Sequence, residues 1–152
     1  ALASRAYAQD DFANMFGNNG GSCPAFKCSE GYDAVQKRPL KLPSPGCSGL
    51  GGGMLAMTGK SDGEDELASC CDLRHACFST CGTTRKTCDR EFEACTEATC
   101  ITSSDQEGCE SSAKINVMMA KMGDCRTFSD AQTAACKCVS PEKAPAAREK
   151  IV

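Results

Sequence analysis

The chain has 152 residues and a net charge of −3, with 41% hydrophobic residues, only 5% aromatics and no Trp. That length makes one domain with a modest core. The near-balanced charge, with no basic stripe among aromatics, leaves nucleic-acid binding without an electrostatic basis. No apolar run approaches the ~20 residues that span a bilayer.

Fourteen cysteines, an even number, predict a disulfide framework. They also predict an oxidising, extracytoplasmic compartment: secreted, or an organelle lumen or intermembrane space. Zinc is the rival reading. Zinc modules need paired ligand knuckles, but the chain has no Cys-x2-Cys pair and a single histidine, His75.

In chain order, Ala6-Tyr7-Ala8 before Gln9 has the small-x-small form of a signal-peptidase site, so residues 1–8 read as the end of an export signal or a retained extension. Phe12, Met15 and Phe16 fall at i, i+3 and i+4, which predicts a short amphipathic helix and supplies attachment points for a partner. Gly17 to Gly21 reads as a flexible joint. Residues 1–21 are therefore expected to form an extension, 22–138 the domain and 139–152 a tail. Residues 22–46, with Cys23, Cys28 and Pro24, Pro39, Pro43 and Pro45, read as crosslinked loop. Gly46 to Gly53 is glycine-rich. Gly59-Lys60-Ser61 is not a phosphate loop, because position 54 is Met and Gly53 lies one residue too far back. The acidic run from Asp62 to Glu66 suits the start of a helix through its dipole.

Seven cysteines follow within the segment 70–100: Cys70, Cys71, Cys77, Cys81, Cys88, Cys95 and Cys100. At about 100° per residue, positions 70, 77 and 81 share one helix face, and 88 and 95 share another. Gly82 suits the left-handed position past a helix end, and Thr83 or Thr84 can cap the next helix. The spacing thus predicts an antiparallel hairpin of helices near 66–81 and 84–100. Facing residues in such a pair keep a constant index sum. Cys70 with Cys95 and Cys77 with Cys88 give the same total, so both pairs are expected as interhelical disulfides. Residues 105–122 read as a further helix with Ile115, Met118, Met119 and Met122 on one side, a stripe expected to be core. The segment after Cys138 reads as extended.

Cys70-Cys71-Asp72-Leu73-Arg74-His75-Ala76-Cys77-Phe78 resembles the Cys-Cys-x-x-His-Asp-x-Cys-Tyr signature of secreted phospholipases A2. Thr80-Cys81-Gly82, Cys88-Asp89 with Phe92 and Cys95, and Cys100 resemble the group XII branch, whose two long helices join without a β-wing. The likeness covers roughly 23–138, including the Gly46-Cys47 neighbourhood and Ala134-Ala135-Cys136-Lys137-Cys138. It implies an all-α, disulfide-rich fold around the same hairpin, and its interhelical pairings agree with those inferred from the index sum. Gly49-Leu50-Gly51-Gly52 is similar to the calcium loop. By that match the carbonyls of Cys47, Gly49 and Gly51 would bind the ion, although Ser48 departs from the usual cysteine.

The family's chemistry uses a histidine on the first helix as base, an aspartate on the second to orient it, and a neighbouring aspartate for calcium. Here the histidine slot holds Arg74 and the calcium-aspartate slot holds His75; only the orienting residue is kept, as Asp89. Arginine cannot act as a base near neutrality, and imidazole suits a hard, oxygen-seeking ion poorly. His75 sits about 100° around the helix from Arg74, out of register for the base role. Arg74 is expected either to pair with Asp89 across the hairpin or to reach solvent.

The reading is a non-catalytic phospholipase A2-like protein without a cofactor. It would bind a lipid surface or a membrane-associated protein complex, as a module or accessory subunit. The alternative is a calcium-dependent secreted phospholipase A2 that hydrolyses the sn-2 ester of phospholipids.

Overall fold

The computed structural model describes residues 23–42, 44–49, 64–123 and 125–149. Ala6-Tyr7-Ala8, the Phe12, Met15 and Phe16 stripe, the Gly17 to Gly21 joint, Gly51, Gly59-Lys60-Ser61 and Asp62 lie outside them.

Two helices dominate: α1 (Glu64–Phe78) and α2 (Arg85–Ile101). The acidic run expected to precede α1 runs into it, since the helix begins at Glu64. Gly82, with φ 91°, ends the connecting turn, and the Thr84 hydroxyl caps α2 by accepting from Thr87 N–H at 3.1 Å. Cys70–Cys95 and Cys77–Cys88 are closed, with Cα–Cα distances of 5.7 Å in both pairs. The helices pair antiparallel without an intervening wing.

Two further helices, α3 (Gln106–Met122) and α4 (Arg126–Ala135), follow the hairpin. Asp105 caps α3 by accepting from Gly108 N–H, and Cys100–Cys109 ties its start to the end of α2. That bridge fixes the rotation of α3. Cys109, Ser112, Ala113, Asn116 and Ala120 form the buried face, small side chains that let α3 approach α2 closely. The methionine stripe is consequently not core: Ile115, Met118 and Met122 are all exposed. With Ile101 and Val117, Met118 and Met122 line an apolar groove of about 620 Å3 between α2 and α3.

Segment 22–46 is not loop throughout. Its strand β1 (Asp33–Gln36) pairs antiparallel with β2 (Cys136–Val139), Asp33 opposite Val139 and Gln36 opposite Cys136. Val35 supplies the buried side of β1. The tail expected to be extended carries α5 (Ala144–Glu149) instead, with Ala144 buried and the helix against β1. Pro145 falls in the first turn, where a missing N–H costs no helix bond.

Cysteine fills much of the interior. One cluster joins Leu67, Phe92, Ala113 and Ala120 to Cys70, Cys71, Cys100 and Cys109; the second joins Phe78 and Phe128 to Cys23 and Cys88. The two rings meet edge-on at 5.1 Å. The remaining bridges are Cys23–Cys125, Cys28–Cys138, Cys47–Cys71 and Cys81–Cys136, and no described cysteine is free.

Two glutamines fasten the hairpin turn to the rest of the chain. Gln36 donates to Ser79 O at 3.0 Å and to Ala135 O at 3.1 Å, and accepts from Cys81 N–H at 2.7 Å. Gln132 donates to Phe78 O at 2.7 Å and Thr80 O at 2.9 Å, and accepts from Gly82 N–H at 3.1 Å. The turn's polar groups are thereby satisfied by side chains from β1 and α4.

Candidate functional site

Arg74 and Asp89 occupy facing positions on the stapled helices, and their side chains meet. Arg74 Nε donates to Asp89 Oδ1 at 2.8 Å, and Nη2 reaches the same oxygen at 2.8 Å. Only 6% of the arginine side chain and 16% of the aspartate are exposed, so water screens this pair little. The guanidinium lies 4.3 Å from the centroid of Phe78, and Nη2 donates to Ala120 O at 3.4 Å. Its planar, diffuse charge tolerates such a ring-lined place better than an ammonium would. Burial pulls Arg74 below the usual arginine range, the Asp89 carboxylate opposes that, and Arg85 adds to the lowering. The group remains a cation.

Sequence reasoning missed Arg85. It lies four residues before Asp89 on α2, and its Nε stands 3.4 Å from Asp89 Oδ2. Its Nη2 donates to Ala120 O at 2.9 Å and Gly123 O at 2.7 Å, closing the C-terminal end of α3. Asp89 is thus held between two guanidiniums that also satisfy helix-end carbonyls. The i, i+4 spacing of Arg85 and Asp89 was the available signal.

His75 points elsewhere. It lines a groove of about 540 Å3 between α1, α4 and the segment that follows β1. Its Nε2 is buried and has no hydrogen-bond partner among the described residues. Desolvation by burial lowers its pKa below the usual imidazole value, Arg74 lowers it further, and Asp72 opposes both. Arg74 and His75 are consecutive on the helix, yet the two side chains serve different surfaces.

The 3-10 turn Gly46–Gly49 packs on α1, anchored by Cys47–Cys71. Gly46 N–H donates to Asp72 Oδ1 at 2.8 Å, which engages that carboxylate. Of the calcium-loop equivalents, Cys47 and Gly49 lie in this turn and His75 on α1. Among the described residues no cluster of three His, Cys, Asp or Glu side chains could hold a metal ion.

The chain's likenesses agree with this geometry. A family model described as the group XII secretory phospholipase A2 precursor matches residues 4–145. The mouse group XIIA secretory phospholipase A2 is 30% identical over 139 residues, covering 86% of this chain and 69% of that protein. The human group XIIA secretory phospholipase A2 is 29% identical over 139 residues, covering 86% of this chain and 70% of that protein. No solved structure gives a significant match. A stapled hairpin with Asp89 facing the first helix, and likeness across nearly the whole length, place the chain in the group XII secretory phospholipase A2 family.

Proposed function

We propose that this family member does not hydrolyse phospholipids and serves as a binding module or accessory subunit at a lipid surface or in a membrane-associated complex. One observation carries the reading: a buried guanidinium closes on Asp89 in the slot where the signature has histidine. A general base must accept a proton from a water within hydrogen-bond reach, and a guanidinium has no lone pair to offer. His75, the sole imidazole in the chain, faces the other groove and makes no contact with Asp89. Calcium fits poorly here, because the slot for its carboxylate holds an imidazole and the nearby Asp72 already accepts from Gly46 N–H.

The relatives are named as phospholipases, so the test is an activity assay. The oxidised chain should release no sn-2 fatty acid above blank from phospholipid vesicles in millimolar calcium. Calcium should also leave its melting temperature unchanged. Calcium-dependent release that disappears in Asp89→Asn would establish the alternative, a calcium-dependent phospholipase with a rearranged site.

A further inference from the structure

The groove lined by His75 has a charge pattern that the hairpin site does not explain. Lys37, Arg38 and Lys41 all line it, and no aspartate or glutamate does. In a chain with 20 acids against 17 bases, that is a local reversal of sign. Among the described residues none of the three cations forms a salt bridge. A run of charges on a convex surface would simply be solvated. This one edges a concavity with a largely apolar lining, where Ala131 and Ala134 from α4 stand across from Leu40. Concave, low-dielectric walls lined by one sign of charge concentrate the opposite charge.

Two polar residues line the same space: Thr127, in the first turn of α4, and His75, whose own Nε2 is buried behind the wall without a protein partner. Lysine and arginine are the usual protein ligands of phosphate. The backbone of the cationic segment is anchored as well: Lys37 N–H donates to Ala135 O at 2.6 Å.

We propose that this groove is a metal-independent binding site for a phosphate group, held by Lys37, Arg38 and Lys41 beside the apolar lining. The phosphate is either a free anion or the headgroup of a phosphate-monoester lipid whose apolar body lies on Leu40 and Ala131. The lipid source rests on the lipid-surface reading above; the phosphate site itself does not, nor does it depend on loss of hydrolysis.

The single histidine makes the test direct, since its imidazole resonances report on this groove alone. The oxidised full chain is titrated at fixed neutral pH with inorganic phosphate, and separately with dihexanoyl phosphatidate below its micelle concentration. Saturable shifts of the His75 resonances are expected. Lys37→Gln with Lys41→Gln should weaken binding at least tenfold, while Lys86→Gln with Lys114→Gln, on other surfaces, should not change it. Phosphatidate binding at least tenfold tighter than phosphate assigns the lipid source, and comparable affinities assign the free anion. Three results would each overturn the site: no saturable shift with either ligand, equal binding of uncharged dihexanoylglycerol, or unchanged affinity in the Lys37/Lys41 variant. Fatty-acid release in the hydrolysis assay would remove the non-catalytic reading and leave this result intact.

Discussion

Asp89 is the electrostatic centre of the hairpin, and its two partners make the consequences of substitution unequal. Arg74→Ala leaves Arg85 on the carboxylate, so the loss should sit at about 3 kcal/mol, the low end for breaking a buried pair. Asp89→Ala leaves two buried guanidiniums facing each other without an anion, and should cost about 5 kcal/mol. Urea unfolding of both variants checks the order; an Asp89→Ala protein as stable as Arg74→Ala would show that the carboxylate is not the shared partner. Facing slots and opposite charges made contact between Arg74 and Asp89 one of two expectations, and the ion pair is the one found. The second guanidinium was not foreseen, because its role depends on where α3 ends, which no local spacing encodes.

His75 carries a separate expectation. Its folded pKa lies below the ordinary 6.5, so the unfolded chain takes up a proton first as pH falls. Stability contributed by the neutral imidazole is then complete above the unfolded value and lost as pH drops toward the folded one. Melting temperatures from about pH 7.5 to about pH 5 should therefore fall more steeply for the native chain than for His75→Gln, the carboxylate contributions being common to both. Parallel profiles would contradict this.

Among the elements, the hairpin was the most legible because its signals are local: cysteine stripes, a glycine past a helix end and a threonine cap. The extent of α3 was legible from its apolar periodicity. Its rotation was not. Periodicity finds a stripe of methionines but cannot say that Cys100–Cys109 turns the opposite face inward. The strands and α5 are short, and their pairing joins segments about a hundred residues apart, beyond the reach of pattern reading. Gln36 and Gln132 are the clearest omissions, since a glutamine that bonds backbone across elements has no sequence signature. Gln132→Leu keeps the volume but removes three hydrogen bonds and strands Phe78 O and Gly82 N–H. It should destabilise the protein by about 3 kcal/mol, measurable by denaturant titration; a neutral effect would mean that water replaces the amide.

On the scale of the molecule, seven disulfides fit an oxidising, extracytoplasmic compartment, as does kinship with secretory relatives. No described helix is long and apolar enough to cross a membrane. The bridges have a topological consequence of their own. Treated as a covalent graph, the chain has Cys23–Cys125 and Cys28–Cys138 as overlapping outer rings. Every peptide bond between Cys23 and Cys138 therefore belongs to at least one closed cycle. No single hydrolysed bond in that span can separate the molecule into two pieces. A protease nick there should add one water to the mass and release nothing until the disulfides are reduced, when fragments appear together. Intact-mass measurement before and after reduction reads this directly, and a fragment shed from the oxidised protein by one cut would break the proposed connectivity. Proteolytic resistance, in this chain, is a property of the graph as well as of the fold.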